Sequence, residues 1–200
     1  MSVNTIAVLS SGTDNSGING AIRAAVRTAV SNNVQVFGVK RGFRGLIEND
    51  MAPLTSRDVS GKIGKAGCFL GTEKPHNLLT PENIDKAVQN CNAKNIKGLV
   101  VIGGFGSLLS SRKFINKGLK VIGIPSTIQD DVPCTDISLG VDSAVNNITK
   151  CLDKIRASTS STNRCFLVQV EGKVCGSLAI LAGLTSGADF ILTPEKPTEN

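Results

Sequence analysis

Three glycine- and aspartate-bearing turns hold the residues of this sequence that could act on a phosphorylated ligand. Ser11–Asn19 is built of small residues, whose backbone N–H groups can face a phosphate at a helix N-terminus. Gly103–Ser107 has three glycines, which let the backbone approach a ligand closely. Pro125–Asp131 ends in two carboxylates, Asp130 and Asp131, either of which could act as a base or hold Mg²⁺. Ordinary strand-to-helix turns also use Gly and Asp, so phosphate binding and a plain structural role both stay open.

Two further features bear on a phosphate site. Arg23 and Arg27 stand four residues apart and would share one helix face, where they could clamp a phosphate or simply form a solvated basic surface. Phe105 lies in the middle of the second glycine-rich turn, where a site for phosphate and magnesium would require a carboxylate. The arginine pair thus leaves a phosphate clamp and a solvated surface open, and Phe105 is an unexpected residue for a metal-dependent phosphate site.

The turns lie between short apolar runs and longer helical patterns. The runs are continuous in Val, Ile and Leu, which is typical of parallel strands covered on both faces. The predicted strands are Ile6–Ser10, Val34–Val39, Gly98–Ile102, Val121–Ile124, Cys165–Val170 and Asp189–Thr193. The predicted helices are Asn19–Ser31, Pro81–Asn92, Ser107–Asn116, Val141–Ala157 and Gly176–Ser186. This alternation predicts an α/β fold with a doubly wound, mostly parallel sheet and helices on both faces, whose ligands bind at the carboxyl ends of the strands.

The composition of the 200 residues excludes several classes of protein. Hydrophobic residues make up 40% and charged residues 19%, which excludes a disordered chain. No apolar run reaches the about 18 residues of a membrane span, and 4% aromatic residues with a net charge of +6 do not favour nucleic acid. His76 is the single histidine, so a metal site based on several histidines is excluded. Six cysteines without CxxC spacing, and no targeting pattern at the N-terminus, predict a cytoplasmic protein with reduced thiols.

Several segments, in chain order, resemble the motifs of the phosphofructokinase family. They are Ser11–Arg23, Gly42–Leu46, Gly67–Thr72, Gly103–Ser107, Pro125–Asp131 with Thr135 and Asp136, Glu171–Lys173, and the glycine-rich stretch Gly176–Asp189. The resemblance implies a phosphofructokinase-like fold with a nucleotide-binding-type domain over residues 1–138. Residues 139–200 would form part of a sugar-phosphate-binding domain. Because the chain is shorter than the family's chains, that second domain is expected to be incomplete.

The resemblance also implies roles for individual residues. The positions of a nucleotide site are Gly12, Thr13, Asp14, Phe43, Lys74, Gly104, Phe105, Gly106 and Ser107. The positions of a sugar-phosphate site are Thr127, Asp131, Arg164, Glu171 and Gly172. The catalytic positions are Thr127, Gln129, Asp131 and Lys173, and Arg23 and Arg27 match an effector site.

The departures from the family pattern fall on the chemistry itself. Phe105 replaces the family's Mg²⁺-binding Asp, and Gln129 replaces the Asp that serves as base. An amide cannot accept the proton of a sugar hydroxyl at neutral pH, and loss of a general base typically costs about 10²–10⁴ in rate. Thr13 replaces a glycine, and Lys74 and Lys173 replace arginines, which keeps the charge but loses the bidentate fork.

Three interpretations follow. The first is a catalytically inactive member, without metal, that acts as a regulatory subunit or binds a phosphorylated small molecule. The second is an active ATP-dependent 6-phosphofructokinase, using Mg-ATP to convert fructose 6-phosphate into fructose 1,6-bisphosphate in glycolysis, completed by a partner chain. The third is a structural subunit that reuses the fold in a larger assembly. All three imply a homo- or hetero-oligomer, with neither nucleic acid nor membrane as partner.

Overall fold

A computed structural model describes residues 3–75, 77–162 and 164–196, so His76 lies outside the described residues. The contacts divide the chain between Ser126 and Thr127 into two units, which are described separately. The two units are defined by the contacts within each of them. The boundary after Ser138 between a nucleotide-binding-type and a sugar-phosphate-binding domain stays a prediction.

Unit 1 is an α/β sandwich around one sheet. Its elements are β1 (Thr5–Ser11), α1 (Ile18–Ser31), β2 (Gln35–Val39), α2 (Phe43–Glu48), β3 (Met51–Leu54), β4 (Thr72–Glu73), α3 (Pro81–Ala93), β5 (Gly98–Gly103), α4 (Phe105–Ile115) and β6 (Lys120–Pro125). The strand order is β3-β2-β1-β5-β6, with the short β4 paired to the end of β1. Only β3 runs antiparallel to its neighbour. The mostly parallel, doubly wound sheet is thereby confirmed.

The core of unit 1 lies between the sheet and helices α2, α3 and α4. Ala7 and Leu9 of β1 face this core, and Val8 between them faces the other side, because successive strand residues alternate. On that other side α1 buries Ile22 and Val26. Helices therefore cover both faces, as the uninterrupted apolar strands require.

Several helix ends follow from local chemistry. The hydroxyl of Thr80 accepts a hydrogen bond from the backbone N–H of Asn83 at 3.3 Å, and Pro81 begins α3, as the sequence predicts. Helix α4 begins at Phe105, two residues before its predicted start, because Gly104 adopts an extended conformation at the N-cap position. The sequence did not predict β3, β4 or α2, which are six residues long or shorter.

Unit 2 contains the helices α5 (Val141–Thr162) and α6 (Ser177–Ser186), which pack on each other. The predicted strands Cys165–Val170 and Asp189–Thr193 are wrong for this structure, since neither forms a strand. Leu167 is 91% exposed and Phe190 is 90% exposed. A strand needs a hydrogen-bonded neighbour, and the described part of unit 2 provides only one isolated bridge for these runs, between Thr193 and Lys196. Among the described residues, no helix is both long and apolar enough to cross a membrane.

Candidate functional site

The candidate site of unit 1 lies where β1 and β5 end side by side. The chain leaves β1 toward β2 on one side, whereas β5 lies on the other, so the strand order reverses at this point. Crevices at such reversals are where doubly wound sheets bind ligands. The turn after β1 is fixed against β4: the Gly12 N–H donates to the Glu73 carbonyl at 3.1 Å, and the Thr72 hydroxyl donates to the Gly12 carbonyl at 3.1 Å.

The turn after β5 is joined to the turn after β1 by Ser107. Its hydroxyl is buried and donates to the Ser11 carbonyl at 3.0 Å. Gly12 has φ = 112°, and a Cβ there would lie 3.3 Å from the Ser107 hydroxyl. The structure thus brings together Gly12, Gly104 and Ser107 of the predicted nucleotide set, and Gly12 needs to be glycine.

The N-terminus of α4 faces this crevice without a cap. No side chain accepts a hydrogen bond at its N-cap, Gly104. Within the described residues, the N–H groups of Phe105 and Gly106 have no backbone acceptor. A Cβ on Gly106 would meet nothing within 4 Å, so the space in front of it is open. Free N–H groups and the helix dipole together favour an anion at this point.

Phe105 occupies the first position of this helix and is 47% exposed. Mg²⁺ prefers hard oxygen ligands, and a phenyl ring supplies none. Within residues 3–75, 77–162 and 164–196, no three His, Cys, Asp or Glu side chains are grouped so that they could hold a metal. Phe105 therefore supplies no ligand for a magnesium ion at this position.

Thr13 and Asp14 lie in the turn after β1, and Lys74 follows β4, which pairs with the end of β1. All three are exposed. The carboxylate of Asp14 lies against Gly67, where an added Cβ would come within 2.8 Å of Asp14 Oδ2. Lys74 directly follows β4, which places a cation beside the turn after β1.

A polar cavity of about 320 Å³ is lined in part by the segment that directly follows Lys74, and the sequence analysis did not predict it. Its lining residues are Pro75, Asn77, Leu79, Thr80, Ser110 and Lys113. The Lys113 ammonium donates to the Leu79 carbonyl at 3.1 Å, which holds α4 to the segment before α3. In the sequence, the one feature that pointed to this cavity is that part of its lining directly follows Lys74.

The sequence reasoning also missed the ion pair between Arg44 of α2 and Glu73 of β4. Both Arg44 Nε and its terminal nitrogen contact the carboxylate, at 2.6 and 2.5 Å. This bidentate contact holds the pKa of Glu73 below its usual range and raises the pKa of Arg44. The pair fixes β4, and with it the start of the segment that carries Lys74.

The side chain of Phe43, which the resemblance assigns to the nucleotide site, lies in the hydrophobic core. Its ring is 1% exposed and stacks on Phe114 with centroids 5.6 Å apart. The side chain belongs to the core of unit 1, so it does not face a nucleotide in this structure.

Buried polar atoms without partners also occur at the carboxyl ends of the strands. Ser10 Oγ and Asn15 Nδ2 are buried and lack a hydrogen-bond partner among the described residues. The other amide atom of Asn15, Oδ1, accepts from the Ser126 hydroxyl at 3.0 Å. Unpaired buried polar groups are rare in native proteins, so their presence here fits a surface that binds a polar ligand.

In unit 2, the loop with Gln129 and two aspartates is ordered by its own backbone. Thr127 donates its N–H to the Leu139 carbonyl at 3.1 Å and accepts from the Gln129 N–H at 3.2 Å. The Asp130 carboxylate accepts from the Ser138 N–H at 2.9 Å, which commits it to the loop. Asp131 instead has one buried oxygen, Oδ1, without a partner among the described residues. Of the two carboxylates, Asp131 is the one with an oxygen that no described residue contacts by a hydrogen bond, and its role in a site stays a prediction.

The remaining predicted residues of unit 2 lie at its surface. Glu171, Lys173 and Arg164 are exposed, and Lys173 has a positive φ of 54° in the turn closed by the Cys175 N–H and the Gly172 carbonyl at 2.9 Å. Arg164 has neither ion pair nor hydrogen bond within the described part of the chain. Its role, like those of Glu171, Gly172 and Lys173, stays a prediction.

Arg23 and Arg27 both lie on α1, one turn apart. Arg27 is exposed and Arg23 is half-buried, and neither forms an ion pair within the described ranges. The effector site that they suggest stays a prediction.

Comparison with known proteins agrees with this geometry. The sequence model of the family described as Phosphofructokinase matches residues 5–200. ATP-dependent 6-phosphofructokinase of Brevibacillus brevis is 40% identical over 190 residues, which are 95% of this chain and 60% of that protein. ATP-dependent 6-phosphofructokinase of Staphylococcus carnosus is 43% identical over 97% of this chain and 61% of its own length. The chain thus spans about three-fifths of these curated relatives.

Solved structures give the same result. Phosphofructokinase of Saccharomyces cerevisiae superposes with a TM-score of 0.87 at 32% identity, over 93% of this chain and 28% of that one. Pyrophosphate-dependent phosphofructokinase from Marinobacter aquaeolei, at 20% identity, shares the fold with a TM-score of 0.82, over 98% of this chain and 54% of that one. Since the family match covers nearly the whole chain, and the sheet, the turns and the solved structures agree with it, the chain belongs to the phosphofructokinase family.

Proposed function

We propose that this chain is a catalytically inactive member of the phosphofructokinase family that binds a phosphorylated small molecule. The observation that carries the proposal is Phe105, a half-exposed phenyl ring at the first position of α4. The N-terminus of that helix can still attract a phosphate, but the ring replaces the carboxylate that a magnesium-dependent phosphoryl transfer requires.

The loop in unit 2 supports the same conclusion. Gln129 stands where the resemblance puts the general base, and its amide has no lone pair basic enough to take a hydroxyl proton. Asp130 is held by the Ser138 N–H. The base and the metal ligand have different roles in the same phosphoryl transfer, and the family positions of both are replaced in this chain.

Binding without turnover remains chemically reasonable. The crevice of unit 1 offers the free N–H groups of α4, the open space in front of Gly106, and the exposed cation of Lys74. These features recognise phosphate oxygens without a metal. A regulatory subunit would use such binding to change the behaviour of an oligomer.

Isothermal titration with ATP, ADP, fructose 6-phosphate and fructose 1,6-bisphosphate tests the proposal. We expect saturable binding of at least one of them, with an affinity that Mg²⁺ changes less than twofold, and no turnover in a coupled assay. Gly106→Asp should weaken binding at least tenfold, because a carboxylate at the α4 N-terminus repels phosphate. The matched control is Leu109→Asp, on the same helix and 50% exposed, which should bind like the parent.

A second candidate, the active ATP-dependent 6-phosphofructokinase completed by a partner chain, is favoured by one observation. Asp131 Oδ1 is buried and has no hydrogen-bond partner within the described residues, and it would serve as a displaced base. The relatives at 40% and 43% identity carry that name. Turnover of fructose 6-phosphate with ATP that disappears in Asp131→Ala would establish it and overturn the first proposal. Absence of both binding and turnover would instead favour a structural subunit.

A further inference from the structure

A run of hydrogen bonds connects α2 to the first turn of α4 through the two-residue strand β4. The guanidinium of Arg44 holds the Glu73 carboxylate by two contacts. The backbone carbonyl of Glu73 accepts two hydrogen bonds, from the Gly12 N–H at 3.1 Å and from the Ser11 hydroxyl at 3.0 Å. The carbonyl of Ser11 in turn accepts from the Ser107 hydroxyl at 3.0 Å. Arg44 is therefore linked to both turns of the candidate site.

Helix α2 gives Arg44 a fixed base from which to reach β4. The side chain of Phe43, the preceding residue, is buried in the core of unit 1. Gly42, the N-cap of α2, lies directly against the ends of β1 and β4. A Cβ added to Gly42 would lie 2.7 Å from the Ser10 carbonyl oxygen and 3.5 Å from that of Glu73. A shift of β4 would thus require movement of α2 within a packed core or loss of the contact with Arg44.

The ion pair is better suited to fixing the position of β4 than to stabilising the whole unit. The side chains of Arg44 and Glu73 are 37% and 35% exposed, and ion pairs at such exposure contribute little to stability because water screens them. The bidentate geometry, in contrast, fixes the carboxylate in both distance and direction. Because β4 pairs with the sheet through only two residues, the direction of this side chain helps to determine where its backbone lies.

Arg44 has a second acidic neighbour, which makes a substitution of Glu73 informative. One carboxylate oxygen of Glu48 lies 3.5 Å from Arg44, and the other lies 2.7 Å from Arg41. Replacement of Glu73 by glutamine removes the charged link to β4 and leaves both of these ion pairs in place. The effect of Glu73→Gln can therefore be assigned to β4 and not to a change within α2.

We propose that Arg44 is a positioning residue for the candidate site. Through the Glu73 carboxylate it holds the turn after β1 and the first turn of α4 in the arrangement that receives an anion, and its guanidinium acts without contacting the ligand. The step from this arrangement to ligand affinity rests on the proposed function. The link between Arg44 and the two turns does not.

Residue-resolved hydrogen exchange of the ligand-free chain tests the link itself. Arg44→Gln and Glu73→Gln should each accelerate exchange at Gly12 and Leu108 at least fivefold. The Gly12 N–H donates to the carbonyl of Glu73, and the Leu108 N–H closes the first turn of α4. Exchange within α3, which the run of hydrogen bonds does not include, should stay within twofold of the parent. Equal acceleration in α3 would mean that the pair acts only on the stability of the unit, and it would overturn the proposal.

The control is Asp85→Asn, which removes another ion pair of unit 1. The Asp85 carboxylate contacts the Lys117 ammonium at 2.5 Å, and both side chains are exposed. This pair joins α3 to the residues after α4 and is not part of the run of hydrogen bonds through β4. Its loss should leave exchange at Gly12 and Leu108 unchanged. The same acceleration in Asp85→Asn as in Glu73→Gln would contradict a specific role for the pair with Arg44.

Titration with ADP tests the consequence for binding. Arg44→Gln and Glu73→Gln should each weaken ADP binding at least fivefold. The double variant should bind no more weakly than either single variant, because both changes break one contact. A direct effect of charge would instead give opposite signs, since loss of the carboxylate would strengthen the binding of an anion and loss of the guanidinium would weaken it. Opposite signs, or unchanged affinity in both variants, overturn the proposal.

The positioning role and the proposed function can fail separately. If the parent chain binds neither ADP nor fructose 1,6-bisphosphate, the proposed function is wrong, and exchange at Gly12 and Leu108 still decides whether Arg44 positions the two turns. If the parent binds ADP and exchange at both amides is the same in Glu73→Gln as in the parent, the proposed function stands and the positioning role is wrong.

Discussion

At the scale of single residues, the candidate site depends on contacts that tolerate little change. Gly12 has φ = 112° and faces the Ser107 hydroxyl, so both its conformation and its lack of a side chain are required. Gly106 is also a glycine of the predicted site, but a Cβ there meets open space and no positive φ is involved. Glycine is therefore required at position 12 by its backbone conformation and by the nearby Ser107, whereas position 106 has room for a side chain. The neighbouring residues in the sequence do not reveal this difference.

Gly12→Ala and Gly106→Ala are a matched pair. We expect Gly12→Ala to lower the free energy of unfolding by about 1–3 kcal/mol, because alanine at this φ is strained and crowds Ser107. Gly106→Ala should be neutral or stabilising by up to about 1 kcal/mol, because alanine favours a helix. Urea denaturation followed by circular dichroism measures both values. Equal effects would contradict the close approach seen at Gly12.

At the scale of elements, a two-residue strand is held by a side-chain pair. β4 comprises only Thr72 and Glu73, and the bidentate contact of Glu73 with Arg44 ties it to α2. A strand of two residues is too short to show an apolar pattern in the sequence, and it forms few backbone hydrogen bonds of its own. The ion pair that compensates for them joins residues 29 apart in sequence, which no local pattern reveals.

The Arg44–Glu73 pair predicts a pH-dependent stability. The pKa of Glu73 is lowered in the folded chain, so its contribution is fully present above the ordinary pKa of a glutamate and is lost as the pH falls through the lower, folded value. The midpoint temperature of thermal unfolding should therefore be lower for Glu73→Gln than for the parent at pH 7. This difference should shrink toward pH 3, where the glutamate of the parent becomes protonated. A difference that stays constant from pH 7 to pH 3 would show that the charge is not responsible.

At the scale of the whole molecule, sequence patterns predicted the sheet of unit 1 well and that of unit 2 wrongly. The strands β1, β2, β5 and β6 were predicted because their apolar runs and their hydrogen-bonding neighbours lie in the same unit. The run Cys165–Val170 has the same composition but no neighbour among the described residues, so its pattern indicates a strand that this chain does not form. The composition of a run shows which side chains can be buried. Whether they are buried depends on whether another element of the structure packs on them.

Leu167 and Leu178 test this distinction in unit 2. Leu167 is 91% exposed and Leu178 is 2% exposed, although both lie in apolar runs. Leu178→Ala should cost about 2–5 kcal/mol, as deletion of buried side chains usually does. Leu167→Ala should change stability by no more than about 0.5 kcal/mol. A large loss from Leu167→Ala, measured by thermal unfolding, would mean that residues 165–170 are buried in solution.

The uncapped N-terminus of α4 has a thermodynamic consequence. Since no side chain in the described part of the chain caps this helix, an anion that bound there would become its cap. Binding of the anion and ordering of the first turn would then be one coupled equilibrium. The ligand would then stiffen the helix that carries Ser107, and through the Ser107 hydroxyl the end of β1 as well. Binding of an anion at the α4 N-terminus would in this way change the rigidity of the carboxyl end of the central strand β1.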